Sequence, residues 1–332
     1  MKRSELLTAL EIVRPGLANR EVIEQSTSFA FMKNRVVTYN DEISISHPIE
    51  GLDVEGAIQA DELYKILQRI SKEDIDITVS ENEILITAGK AKAGLTLFQE
   101  IKLPLQEIGE IEDWHLLPTN FMRGLKFVIP SCGRESSKPN LMNIHCNDQG
   151  FLEASDGHRI SRLVLNKELG IPTFLLPSDT ARKVFGLAPN KIANGKGWVH
   201  FKTDLGTIIS CRKNEDKFPD TTALIQVQGI ELTLPDGIED VLDRASVFAK
   251  RDSLLEEQIL FKAEKQKLTI RSESDAGWFE EKLKVEFQED VNFSITPALF
   301  KDIIKETKTF TLNPKLIKFE GEDWIYIMAV KY

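Results

Sequence analysis

The sequence is short of the residue types from which most recognisable sites are built. Its 332 residues include three cysteines, five histidines and four each of tryptophan and tryptophan's smaller partner tyrosine. Cys132, Cys146 and Cys211 are odd in number and far apart, with no Cys-x-x-Cys and no His/Cys ligand spacing. That excludes a disulfide framework and a structural zinc, so no metal is expected and a reducing cytoplasm is the expected compartment. No apolar run approaches the roughly 18 residues of a membrane span, because Lys, Glu or Asp interrupts the longest ones. The opening MKRSELLTALEIVR is charged and helix-patterned and lacks the apolar stretch and small-residue cleavage site of a signal peptide. Neither Gly-x-Ser-x-Gly, a phosphate-binding glycine loop nor His-x-x-x-His occurs, so no cofactor is expected. Basic charge is also in deficit: the net charge is -10 and the pI about 5.2. A globally basic nucleic-acid-binding surface is thereby excluded, whereas positive charge confined to one face is not.

What the chain does have is a repeat. An apolar strand, a proline or alanine and an amphipathic helix recur in AIQADELYKILQRIS from Ala57, FLLPSDTARKVFGLA from Phe174 and FSITPALFKDIIKET from Phe293. The helices open near Ala60, Ser178 and Pro297, a period of about 118 residues. A strand, a turn and a strand follow each one: DIDITVSENEILITAG, GWVHFKTDLGTIISCR and TFTLNPKLIKFEGEDWIYIMAV. A different helix begins each unit, in SELLTALEIVR from Ser4, LPTNFMRGLKFVI from Leu117 and LPDGIEDVLDRASVFAK from Leu234. Ser4, and Asp or Thr before the other two, are the expected caps, and Pro118 and Pro235 are expected in the first turn. The pattern predicts an α+β chain of three repeats, with domains at 1–114, 115–228 and 229–332.

Five of these six helices carry a small positive charge while the rest of the chain is strongly acidic. A protein that turns its helices toward a polyanion has this pattern. Lysines that merely solvate outer helix faces have it too.

The densest group of functional side chains is EASDGHRISRL, residues 153–163, where Asp156, His158 and Arg159 surround Gly157. Asp and His two positions apart on a strand point the same way, which permits an Asp-oriented His base and a hydrolase centred on Asp156 and His158. Such a base has no partner motif here, and His47, His115, His145 and His200 fall in unrelated segments. The same residues suit the rim of a docking surface, or a turn in which Asp156 bonds nearby amides.

Three helix–sheet repeats with ASDGHRI in the second resemble the bacterial replicative sliding clamps, the beta subunits of DNA polymerase III. RPGLANR, ITAGKAKAGLTL, KFPD (residues 217–220) and YIMAVKY occur in the matching order along the whole chain. The resemblance implies three DNA-clamp domains with helices on one face of antiparallel sheets, and a head-to-tail homodimer closing a six-domain ring around double-stranded DNA. It implies no chemistry of the protein's own, and partnership with a replicative DNA polymerase and a clamp loader. It also implies a pocket for a short hydrophobic peptide, walled by Leu141, Ser155, Gly157, His158, Arg159 and Ile160. Pro219 and Leu224 from the crossing segment and Tyr326, Met328 and Val330 from the tail complete that wall.

Gly157 would keep a side chain out of the peptide's path and would accept a positive φ. DNA contacts carried over in the same way are Arg20, then Arg134 and Lys138 in SCGRESSKPN. The repeat helices add Lys65, Arg69, Arg123, Lys126, Arg182 and Lys183. Some positions depart from the family pattern: Ala329 stands for an expected proline, Lys331 and Tyr332 end the tail differently, and Tyr326 is bulkier than the usual aliphatic. These suit a phage or prophage member with a narrower pocket. A clamp-like decoy that captures clamp-binding peptides without encircling DNA is an alternative with the same fold.

Overall fold

The computed structural model describes all residues except 135–136, 254–255 and 332. Strands dominate, and every strand pairing with a defined register is antiparallel. The described residues gather into two compact units. One comprises 1–126, 145–150 and 166–216; the other comprises 127–144, 151–165 and 217–332.

The first unit holds an eight-stranded sheet and a separate three-stranded sheet. In the larger sheet, Gly56–Gln59, Ser28–Met32, Arg35–Tyr39 and Ile43–Pro48 come from the first repeat. Ile208–Arg212, Trp198–Lys202, Lys191–Asn194 and His115–Leu116 continue it from the second. The join is Ile43–Pro48 against Ile208–Arg212, with Ile45 opposite Ile209. Asp76–Val79, Glu83–Ala88 and Ala91–Thr96 form the small sheet, and Val79 pairs with Ile84 across the expected Glu81–Asn82 turn. Helix Arg3–Val13 buries Leu6, Ala9, Leu10 and Val13, while Ala60–Arg69 buries Leu63 and Leu67 and leaves Lys65 and Arg69 outside. This is the one-sided spacing that docks a helix on a sheet.

The second unit repeats the device. Phe151–Ser155 and Arg159–Val164 belong to the second repeat, and Trp324–Ala329, Leu316–Glu320, Thr309–Leu312 and Ile230–Thr233 to the third. They run as neighbours in that order, joined by Arg159–Val164 against Trp324–Ala329. A four-stranded sheet, Gly277–Lys284, Lys267–Ser274, Ile259–Glu264 and Val291–Ile295, lies in the same unit. Helix Pro297–Ile303 opens on its proline, whose missing N–H costs nothing there. Its Phe300 meets Phe261, Phe310 and Phe319 edge-on at 5.5–6.2 Å between ring centres. Burial of these rings supplies most of the local driving force.

Local details differ from the sequence expectation. Ser4 lies inside its helix rather than capping it; its N–H donates to the Glu73 carboxylate at 3.0 Å and its hydroxyl to the same oxygen. Those bonds from Ser4 hold the Glu73 carboxyl below its ordinary range. Pro118 and Pro235 precede helices Phe121–Val128 and Ile238–Ala249 by three residues instead of sitting in their first turns. After Pro118 the chain makes one turn, Phe121 N–H to the Pro118 carbonyl at 3.0 Å. After Pro235, Gly237 takes φ +77° and defers the helical run to Ile238. Asp236 does not cap; its carboxylate receives Lys308 at 2.9 Å.

Candidate functional site

The stretch 153–163 folds as a hairpin in the second unit, with Ser155 opposite Ile160. Asp156, Gly157 and His158 form its turn, so the expectation that Asp156 and His158 share one face of a strand is overturned. Gly157 takes φ +89°, a region that side chains with a Cβ resist. Asp156 Oδ1 accepts the backbone N–H groups of His158 and Arg159 at 2.9 and 3.0 Å, and Oδ2 accepts Arg159 Nε at 3.0 Å. Its carboxylate is committed to the turn and to Arg159, and the bond it makes to His158 is to the backbone N–H rather than to the imidazole. Ser155 Oγ donates to the Arg159 carbonyl at 2.8 Å and accepts the Gly157 N–H at 3.1 Å.

Arg159 is the hub. Besides Asp156 it reaches Tyr326 Oη at 3.5 Å, Asp302 at 3.7 Å and the Pro130 carbonyl. Burial alone would lower its pKa, but Tyr326 and Asp156 outweigh that and hold it above the ordinary arginine value. Burial pushes the Tyr326 hydroxyl up to about 12, against the opposing pull of Arg159. Tyr326 is therefore neutral and donates to the Leu299 carbonyl at 2.9 Å.

Beside this hub lies a cavity of about 330 Å³. Leu141, Ala298, Leu299 and Cys132 give it apolar wall, and Arg134, Lys138 and His158 line it together with the Arg159 hub. Leu141, His158 and Arg159 are thus brought together, joined by Arg134 and Lys138, which the sequence assigned to DNA. Ile160, Tyr326 and Met328 are buried in the fold at 6%, 4% and 0% exposure and do not line the cavity. Ser155 and Gly157 shape the turn beneath it, and Val330 is half-buried, its N–H bonded to the Lys315 carbonyl at 3.0 Å.

Pro219 and Leu224 are exposed and do not line the cavity. Their segment is anchored by buried Thr221, which donates to Glu153 at 2.6 Å and accepts Arg162 at 3.0 Å. Arg162 also pairs with Glu153 and covers the Phe151 ring at 4.2 Å. Sequence reasoning missed Ala298, Leu299, Asp302, Cys132 and Gly133. The signal for two of them was present: Leu299 and Asp302, three apart on a helix, share a face.

The remaining candidate DNA contacts, Arg20, Lys65, Arg69, Arg123, Lys126, Arg182 and Lys183, all belong to the first unit. All are exposed except Lys183, which is half-buried. Lys65 pairs with Asp61 one helical turn away, and Arg182 lies 4.0 Å from Asp179. Glu135, Ser136 and Tyr332, part of the polar loop and the tail, lie outside the described residues. Among the described residues no group of three His, Cys, Asp or Glu side chains is placed to hold a metal ion, and no helix is long and apolar enough to cross a membrane.

No protein-family model matches the chain, and no curated protein sequence matches it. Solved structures do. The chain is similar to the DNA polymerase III subunit beta sliding clamp from Pseudomonas aeruginosa bound to griselimycin, with a TM-score of 0.86 at 16% identity over 100% of this chain and 98% of that one. The DNA polymerase sliding clamp from Bacillus subtilis gives 0.85 at 19% identity, again over 100% and 98%. The DNA polymerase III beta subunit from Thermotoga maritima gives 0.82 at 17% identity with the same coverage. The fold is thus an α+β clamp fold of antiparallel sheets. More narrowly, it is the fold of the bacterial DNA polymerase III beta sliding clamps, present from end to end.

Proposed function

We propose that this chain is a processivity clamp: a protein without chemistry of its own that encircles double-stranded DNA and tethers a replicative polymerase. The observation that carries the reading is the full-length likeness to bacterial sliding clamps, 100% of this chain against 98% of theirs. In this reading the three repeats are clamp domains at 1–114, 115–228 and 229–332. Two copies close a six-domain ring in the cytoplasm, loaded by a clamp loader. Edge strands support closure: Ala91–Thr96 ends the three-stranded sheet and Gly277–Lys284 ends the four-stranded one, each leaving backbone donors and acceptors for another chain to pair.

A ring held on DNA by topology needs only weak, sequence-blind phosphate contacts, so a net charge of -10 is compatible with the task. Arg20, Lys65, Arg69, Arg123, Lys126, Arg182 and Lys183 are the contacts we assign to DNA. The cavity beside the Asp156–Arg159 turn is the docking site for a peptide of the polymerase or loader.

Two measurements test this. Small-angle scattering with mass determination across a concentration series should give a particle of twice the chain mass with a central hole; a compact solid particle would overturn the ring. Retention on nicked circular DNA, lost when the circle is linearised, is expected of a clamp. A decoy would bind peptides and show no retention on either form.

A further inference from the structure

The cavity's charges are unequally committed. Arg159 is bound on all sides by Asp156, Asp302, Tyr326 and the Pro130 carbonyl. The side chains of Arg134 and Lys138, both exposed, make no hydrogen bond or ion pair with any described residue. Lys138 nevertheless leans inward: a Cβ built on Gly157 would stand 3.5 Å from its Nζ and 3.8 Å from Leu141 Cδ1. The bare glycine thus leaves the ammonium room to lie over the turn, next to the leucine that walls the cavity. Among the described lining residues the carboxylates are Asp156 and Asp302, both drawn to the Arg159 guanidinium, so positive charge is in excess among them. Lining the cavity with them are the side chains of Leu141, Ala298 and Leu299.

Resting on the docking reading above, we propose that this pocket selects an acidic peptide segment, in which one bulky apolar side chain enters between Leu141 and Leu299 while two flanking carboxylates meet Arg134 and Lys138. Two separate cations ask for two carboxylates, which an internal pair of Asp or Glu side chains supplies and a single chain-terminal carboxylate does not. Each contact is a charge-assisted hydrogen bond, stronger than its neutral counterpart. Arg134 and Lys138 then act in peptide recognition rather than in gripping DNA.

The test uses the full chain and a fluorescent, N-acetylated, C-amidated peptide, Ser-Asp-Leu-Glu-Ser, read by anisotropy. Its Asn/Gln counterpart is expected to bind about tenfold more weakly. The preference should disappear in an Arg134→Gln/Lys138→Gln variant and fade with salt. A Ser-Lys-Leu-Lys-Ser probe should prefer an Arg134→Glu/Lys138→Glu variant over the unaltered protein, which guards against a variant that merely misfolds. Equal binding of the acidic and amide probes, no binding of either, or a preference that survives the double substitution would overturn the proposal. So would a Gln/Gln variant that loses affinity only for a single-stranded oligonucleotide, which would return both cations to DNA. Retention on circular DNA, measured on the same variants, separates the two readings. If acid preference is absent and retention intact, only this proposal fails; if retention is absent and preference intact, only the clamp reading fails.

Discussion

Each unit contains a place where two successive repeats are joined strand to strand, and the two joins are finished in opposite ways. In the first unit Arg212 ends the joining strand and lies over Trp198 at 4.6 Å, paired with Asp41 at 2.6 Å. Trp198 is buried with Ala30, Val37, Tyr39 and Leu103, its ring 6.2 Å from that of Tyr39. In the second unit Arg159 begins the joining strand and braces Asp156 and Tyr326, but a cavity stands beside it. An arginine secures the join in both. Whether a site opens depends on what surrounds it: packed indole and phenol rings leave no room, whereas a glycine turn and a polar loop do. A packed finish and an open one are made on the same architectural joint.

The comparison breaks first at the sealed join. Trp198→Ala removes the ring on which Arg212 and Tyr39 rest and is expected to destabilise the protein by about 3–5 kcal/mol. Urea denaturation would show it, and a loss under 1 kcal/mol would mean that the indole is not the keystone of that join.

A second, somewhat smaller effect comes from pH. His200, two residues along the same strand, is fully buried with Nδ1 2.9 Å from Ser210 Oγ. Burial, helped by the charge of Lys213, lowers its pKa to about 4. The unfolded chain therefore binds the extra proton first. Stability is whole above about pH 6.5 and declines as pH falls from there toward 4, by about 3 kcal/mol in all. Denaturation midpoints at pH 7.5, 5.5 and 4.5 should fall in that order, and His200→Asn should flatten the slope; an unchanged slope in the variant would remove His200 from the account.

The smallest effect sharpens the open join. Gly157→Ala would place a Cβ at ordinary contact distance from its neighbours, so the cost is the φ of +89° alone, about 1 kcal/mol. Thermal melts would detect it, and a neutral result would show that the turn relaxes freely.

Much of this was legible along the chain. The helices over Ala60–Arg69, Ser178–Leu187 and Pro297–Ile303 begin where the repeat puts them, because one-sided apolar spacing is a local signal. The Asp156–Arg159 turn was legible as a cluster of polar side chains but not as a geometry, since a carboxylate that caps its own turn and one that points from a strand look alike in sequence. The join of Ile43–Pro48 to Ile208–Arg212 left no trace, as pairing across such separation is fixed by assembly of whole faces. For the same reason Leu299 and Asp302 could be placed on a helix face but not beside Arg159. The tail residues Tyr326 and Met328 were read as open walls; both are instead buried in the core, as is Ile327 between them.

The shared sheet of the first unit also bears on how the protein is made. Ile43–Pro48 emerges from the ribosome long before its neighbour Ile208–Arg212 exists. At ~5–20 residues per second the strand waits on the order of 10–30 seconds with one edge bare. Its Pro48, which offers no N–H, and the half-buried His47 sit at the end of that edge and make it a poorer template for a stranger's strand. A nascent chain of this design spends part of its synthesis as an unfinished sheet, so its yield in the cell should depend on translation speed and on what shields that edge meanwhile.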